Sequence, residues 1–338
     1  MFNTHLISRR TLLSGIAASL AAPAIAQSDP WQAIADRAAA FDQCHAILIR
    51  QAGETRLSAV FRGPEMGRLV PIKSVSKTVV AALTGAAIDR GELSSVTDRL
   101  GDVAPQLIPS DADPRVSQIT IEDLVTMQAG LERTSGRNYG GWVSSRNWVA
   151  NALARPIIAE PGTGMQYSTG SFHILGAVLS EVSGQSLLDL ARERLGNPLG
   201  IEIPAWTRDP QGRYLGGNEM ALTLEGMVRF GELYRLNGAF DGVRVLSQSW
   251  VTRSLEPRTR SPFSGLDYGY GWFLGQADEI PYALARGYGG QIICVAPQIG
   301  LTCAITSDPT RPARSGGYFG DLKRLIEQDI LPAAREEA

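Results

Sequence analysis

The sequence predicts an α/β protein in which one antiparallel sheet is assembled from both ends of the chain, with a mostly helical region inserted between them. Three observations predict it. Short β-type runs bounded by turn residues occur at residues 46–61 and again from Gly269 onward. Between them, from about Gly91 to Arg260, the signals are mostly helical with long loops. Strands at both ends with helices between suggest a single sheet built from the two termini. This divides the chain into a leader (1–26), a sheet region (27–70 and 265–338) and a helical region (71–264), the last two forming one domain.

The leader is an expectation from three features in order. Ser8-Arg9-Arg10-Thr11-Leu12-Leu13 carries twin arginines, an apolar run extends to Ala22, and Ala24-Ile25-Ala26 offers a small-x-small cleavage site. The run is too short for a permanent bilayer anchor, and Gln27 in place of cysteine gives no sign of lipid attachment. The expected product is periplasmic or secreted by the twin-arginine route, with no membrane anchor after cleavage.

Beyond the leader, Ala46 to Arg50 and Thr55 to Phe61 read as a hairpin turning at Gln51-Ala52-Gly53-Glu54. Thr78 to Asp89 is apolar nearly all round, which reads as a buried helix. Thr120 followed by Ile121 to Val125 reads as a cap and a short helix. Ser171 to Ser183 and Leu187 to Leu195 carry helical spacing stopped at Gly184 and Gly196, and Thr223 to Asn237 is closed by Gly238. Gly271 to Leu274, Tyr282 to Ala285, Gln291 to Ala296 and Leu301 to Thr306 read as strands, and Asp321 to Ile330 as a terminal helix. If Pro297 to Gly300 is a hairpin turn, Cys294 lies opposite Cys303. Export would permit a disulfide there, but cross-strand geometry often strains the bond, and two small buried side chains are the preferred reading.

Composition mainly excludes. A net charge of −2 with mixed signs leaves no basic run for nucleic acid and no basic amphipathic helix for a membrane surface. Histidine is scarce: His5 lies in the leader, His45 starts a strand, and His173 sits in an apolar helix as a satisfied core residue. There is no Gly-x-Ser-x-Gly elbow, His-Glu-x-x-His, Cys-x-x-Cys, Gly-x-x-x-x-Gly-Lys loop or Gly-x-Gly-x-x-Gly after a strand. No metal, nucleotide or other cofactor is therefore expected.

Lysine is scarce too, and its placement is informative. Against 29 arginines there are three lysines, Lys73, Lys77 and Lys323, and two of them flank Ser74. Arginine cannot lose its proton in a protein, whereas a desolvated lysine can. If Ser74 opens the buried helix, Lys77 follows one turn on along the same face, and the helix N-terminus offers free N–H groups at the serine oxygen. Ser74 is then a nucleophile with Lys77 as its base. Equally, Ser74 is an N-cap and Lys77 a surface lysine.

Two further segments complete a pattern. Pro161 to Thr169 is a loop that delivers Tyr167 and two hydroxyls just before a helix. Arg286-Gly287-Tyr288-Gly289-Gly290-Gln291 begins a strand with almost no side chains, as expected where backbone approaches a ligand closely. With Ser74 and Lys77, these segments resemble the serine hydrolases related to class C β-lactamases and D-Ala-D-Ala carboxypeptidases. In that superfamily a Ser-x-x-Lys, a Tyr-x-Asn-like triplet and a Lys/His-Thr-Gly-like strand converge on one cleft. Thr120 to Leu131, Asn197 to Ile201 and Arg229 to Tyr234 are also similar to its segments. Gly287 to Gln291, and Trp206 with Asp209 to Gly212, look most like 6-aminohexanoate-dimer (nylon-oligomer) hydrolases and their family VIII esterase relatives.

The resemblance implies a β-lactamase/D-Ala-D-Ala-peptidase-like fold and a cofactor-free serine hydrolase acting on a small ester or linear amide. It implies Ser74 as nucleophile, Lys77 as base, and Tyr167 sharing that task and protonating the leaving group. It implies the backbone N–H groups of Ser74 and Gln291 as oxyanion hole. Tyr288, Gly289 and Gly290 are expected to bind substrate. Tyr139 and Trp142, in the Gly/Ser-rich loop 135–145, either line the pocket or pack on the core. Two departures bear on substrate. Thr169 replaces the usual Asn of the triplet, and Tyr288 stands where penicillin-recognising relatives place Lys or His, which removes the cation that would hold a β-lactam carboxylate. The alternatives are a β-lactamase or carboxypeptidase, a penicillin-binding sensor, or a non-catalytic protein of the same fold. The sequence leaves the oligomeric state open.

Overall fold

Eight strands form one antiparallel sheet in the computed structural model, which describes Met1 and residues 29–336. The expected leader, Met1 apart, lies outside the described residues. The strands are β1 (Cys44–Gln51), β2 (Glu54–Val60), β3 (Thr259–Arg260), β4 (Asp267–Tyr268), β5 (Phe273–Ala277), β6 (Ile280–Gly287), β7 (Gln291–Ala296) and β8 (Leu301–Ser307). Their spatial order is β2-β1-β8-β7-β6-β5-β4-β3. The β1–β8 pairing closes the N-terminal hairpin onto the C-terminal strands, with Ile47 opposite Ile305 and Ile49 opposite Cys303. The first hairpin turns at Ala52 and Gly53 with φ of +50° and +88°, positive at both central residues as a tight hairpin requires.

Strands β7 and β8 are buried along their whole lengths, so both faces of the sheet are covered. On one face lies helix α4 (Leu224–Arg235), preceded in the chain by α1 (Pro30–Ala39), α2 (Ser76–Asp89) and α3 (Thr169–Ser183). Gly231 lets α4 settle there: a Cβ on it would fall 2.7 Å from Thr302 Cγ2 and 2.9 Å from Ile293 Cγ2. On the other face the C-terminal helical segment, Tyr318 to Glu336, is fastened by Tyr282 Oη donating to Glu327 at 2.6 Å. That segment is longer than expected and contains a π turn at Ile326–Ile330.

The helical region packs α2 against α3. Thr120 caps Ile121–Val125 as expected, and Asp123 makes the cap a reciprocal capping box. Gly184 ends α3 in the left-handed region at φ +68°. Gly196 does not end the next helix. Its φ is −56°, the chain runs on through a π turn to Leu199, and Gly200 at φ +60° stops it. What Gly196 supplies is space, since a Cβ would lie 3.1 Å from the Ile201 carbonyl. Cys294 does stand opposite Cys303, and both are buried free thiols whose pKa burial pushes well up.

Candidate active site

Ser74 is presented by a strained turn. Lys73–Val75 is a short 3-10 turn leading into α2, and Lys73 has φ +51°, a conformation that costs an L-residue about 1–2 kcal/mol. Four contacts hold it. Ile72 N donates to Met220 O at 2.9 Å, Ser76 Oγ donates to Lys73 O at 2.6 Å, and Met220 N donates to Ser76 Oγ at 3.2 Å. Lys73 Nζ pairs with Glu219 at 3.2 Å. Gly287 of β6 abuts the same turn, because a Cβ there would come 2.3 Å from the Ile72 carbonyl. Ser74 is therefore not the N-cap of α2, and its hydroxyl faces Lys77.

Lys77 is only 2% exposed, which removes the surface-lysine reading. Its Nζ lies 3.0 Å from Ser74 Oγ, 2.6 Å from Gly217 O and 3.3 Å from Thr169 Oγ1. Burial pulls its pKa down to about 7. A neutral amine has two N–H donors and one lone pair. With Gly217 O and Thr169 Oγ1 taking the two donors, the lone pair is left for the Ser74 hydroxyl. Thr169 is fixed in turn by Ser135, whose Oγ lies 3.0 Å from Thr169 Oγ1 and accepts from Thr169 N at 2.8 Å.

Tyr167 completes the group. Its hydroxyl interacts with Ser74, its ring centroid is 5.1 Å from Lys77 Nζ, and it stacks on Phe273 at 6.4 Å. Burial raises the phenol pKa, while the interaction with Ser74 and the Arg286 charge oppose that rise. The structure thus brings Ser74, Lys77 and Tyr167 together, from two segments of the chain.

They open onto a cleft of about 570 Å³ whose wall includes Tyr139 and Tyr288, two of the expected pocket residues. The other expected residues lie elsewhere. Trp142 is fully buried, its indole N–H donating to Trp148 O at 2.8 Å, so the core-packing reading holds. Gly289 and Gly290 have φ of +85° and +97°, and their missing Cβ positions are occupied by Asp308 O at 2.3 Å and Tyr318 Cε1 at 2.6 Å. They let a turn fold back on protein, and neither lines the cleft. Gln291 stands opposite Gly287 in the β6–β7 ladder, and its buried side chain exchanges hydrogen bonds with Ser307. Arg286 to Gly290 do not begin a strand either; β6 ends at Gly287 and the turn follows. At that turn the N–H of Tyr288, like that of Ser74, donates to no other group among the described residues, and both residues line the cleft.

Sequence reasoning missed Asn218, Glu219, Phe263, Phe273 and Arg286, all on the cleft wall. Asn218 Nδ2 donates to Tyr139 Oη at 3.2 Å and to Glu219 Oε1 at 3.0 Å. The available signal was Gly216-Gly217 just before this polar pair. A Cβ on Gly216 would fall 2.1 Å from Phe172 O, marking a strand of loop pressed against α3. His173 is a core residue: Nδ1 accepts from Gly216 N at 3.3 Å and Nε2 meets Asp209 Oδ2 at 3.1 Å. A second cleft, of about 600 Å³ beside Tyr282 and Glu327, is lined by no serine, cysteine or histidine.

Comparison with known proteins addresses the family and the fold. A family model described as Beta-lactamase matches residues 39–326. Penicillin-binding protein 4 of Amycolatopsis lactamdurans is 27% identical over 300 residues, 75% of this chain and 74% of that protein. The D-alanyl-D-alanine-carboxypeptidase/endopeptidase AmpH of Escherichia coli K12 is 27% identical over 171 residues, 48% of this chain and 43% of that one. Among solved structures, a proposed 6-aminohexanoate-dimer hydrolase from Bacillus anthracis superposes with a TM-score of 0.74 at 16% identity, covering 90% of this chain and 81% of that one. A family VIII carboxylesterase gives 0.69 at 18% identity, covering 89% and 97%. The two structural likenesses establish the fold, and the match over residues 39–326 establishes that this chain belongs to the beta-lactamase family of serine hydrolases.

Proposed function

We propose that this protein hydrolyses a small ester or linear amide through an acyl-enzyme on Ser74. The observation that carries the proposal is the buried Lys77 amine, with its donors engaged by Gly217 O and Thr169 Oγ1 and Ser74 Oγ at 3.0 Å. Ser74 Oγ attacks the substrate carbonyl as its proton passes to Lys77 Nζ. The N–H groups of Ser74 and Tyr288 receive the oxyanion, with Tyr288 taking the part first expected of Gln291. Each such donor is worth about 3–4 kcal/mol in the transition state. Tyr167, beside Ser74 and Lys77, passes a proton to the departing alkoxide or amine. Water then attacks the acyl carbon, its proton passing to the Tyr167 phenolate, and Ser74 recovers its proton from Lys77 as the acyl group leaves.

A second reading, acylation by penicillin without useful turnover, is favoured by the likeness to a penicillin-binding protein. A panel of a p-nitrophenyl short-chain ester, the 6-aminohexanoate dimer and a chromogenic cephalosporin separates the two. Turnover of the ester or dimer, abolished by Ser74→Ala, is the expected result. Fast cephalosporin turnover with inert esters would overturn the substrate choice, and stable labelling by fluorescent penicillin alone would favour the sensor. We also infer export from residues 8–26; cell fractionation after replacing Arg9 and Arg10 by lysine tests it.

A further inference from the structure

The charges of the cleft do not balance. Lys73 is matched by Glu219 at 3.2 Å, and Lys77 is held near neutrality by burial. Arg286 has no such answer. Its guanidinium donates to Ser315 Oγ at 3.3 Å and Ala313 O at 3.1 Å, and lies 3.4 Å from the Phe319 ring centroid. Both acceptors are neutral. Among the described residues, the one ionisable group that acts on it is the Tyr167 phenol. Arginine carries five N–H donors, and these two bonds leave others unused. Burial has pulled its pKa down to about 10, the mark of a cation short of a counter-charge. Yet arginine stays charged at neutral pH, so the imbalance persists in the free protein.

Resting on the hydrolase reading and deepening it, we propose that Arg286 receives a carboxylate of the substrate. The substrate class is then an ester or amide that carries an anionic group beside the scissile bond. Arg286 lies on the cleft wall next to the Tyr288 turn and acts electrostatically on Tyr167, so a carbonyl held at Ser74 has this cation within the same enclosure. A guanidinium binds a carboxylate through two parallel N–H bonds, and partial burial strengthens them. The cation that the Tyr288 position lacks is thus supplied two residues earlier in the chain.

Two measurements test this independently of each other. The first is binding of hexanoate against hexanamide to the full chain by calorimetry, which needs no turnover. Hexanoate should bind about tenfold or more tightly than hexanamide, as a charged hydrogen-bonded pair implies. Arg286→Gln should erase the preference and Arg286→Lys should keep part of it. The second compares kcat/KM for p-nitrophenyl butyrate, p-nitrophenyl hemiglutarate (carboxylate on the acyl side) and 4-butyryloxybenzoate (carboxylate on the leaving group). One anionic ester should be preferred over its neutral counterpart, and Arg286→Gln should lower that ratio about tenfold. Equal binding of hexanoate and hexanamide by the unaltered protein would overturn the assignment even with brisk ester turnover. Selective hexanoate binding without hydrolysis of any ester would leave Arg286 standing and remove the hydrolase reading. Because the ligand preference is read first on the unaltered chain, a misfolded variant cannot obscure it.

Discussion

The carbonyl oxygen of Gly217 sits 2.6 Å from Lys77 Nζ, nearer than Ser74 Oγ at 3.0 Å. The amine is therefore oriented by the main chain, and the lone pair it keeps for Ser74 exists only when Lys77 is neutral. With a pKa near 7, activity should rise with pH through neutrality, half-developed near pH 7 in a kcat/KM profile. Lys77→Arg keeps the charge, cannot accept the proton, and should lose roughly 10²–10⁴-fold in kcat. A profile flat from pH 5 to 9, or an active Lys77→Arg protein, would take the base away from Lys77.

The same burial makes stability depend on pH. Between about pH 7 and the ordinary lysine value of 10.5, Lys77 is neutral when folded and protonated when unfolded. The unfolded chain then binds the extra proton, so unfolding free energy rises with pH, by about 1.4 kcal/mol per unit from this group. Below pH 7 both states are protonated and the contribution is flat at its lowest. Lys77→Met should remove this rise, so its stability relative to the unaltered protein is best near pH 6 and worst near pH 9. Urea unfolding at pH 6, 7.5 and 9 measures the slope, and parallel curves for the two proteins would refute it.

Thr169 takes the place of the Asn in the resembling triplet, yet its hydroxyl still reaches Lys77 at 3.3 Å. Thr169→Val keeps the shape and removes the acceptor, leaving one amine N–H unpaired in a buried site. Kcat should fall about tenfold with KM nearly unchanged, since an unmet buried donor costs roughly 1–3 kcal/mol. Thr169→Asn offers a side-chain carbonyl instead and should recover most of the loss. Equal activity of Thr169→Val and the unaltered protein would show that Gly217 O alone orients the amine.

What could be read from the chain follows from what local sequence encodes. The hairpin at Ala52-Gly53, the cap at Thr120, and the opposition of Cys294 and Cys303 depend on neighbours a few residues apart. Ser74 and Lys77 were legible for the same reason, being one turn apart. The acceptors that shape Lys77 were not, because Gly217 and Thr169 come from distant segments whose approach depends on the packing of α3 and the loop beyond it. Gly289 and Gly290 misled because a missing side chain makes room equally for a ligand or for Asp308 and Tyr318. Arg286 passed unnoticed because sequence does not reveal that, among the described residues, its guanidinium bonds only to Ser315 and Ala313 and to no acid.

Trp142 and Tyr139 are neighbours whose roles separate cleanly. Their rings meet edge to face at 5.8 Å, but Trp142 is fully buried and Tyr139 lines the cleft. Trp142 also packs on Trp148 and His173, at 5.4 and 5.7 Å between ring centroids. Trp142→Ala would leave a cavity and strip Trp148 O of its donor, destabilising the fold by about 3–5 kcal/mol. Tyr139→Ala removes a partly buried ring with its hydroxyl on Asn218, and should change KM more than stability. Urea unfolding and ester kinetics on both variants give four numbers with a crossed pattern expected. A Trp142→Ala protein of undiminished stability but raised KM would place that indole in the substrate pocket after all.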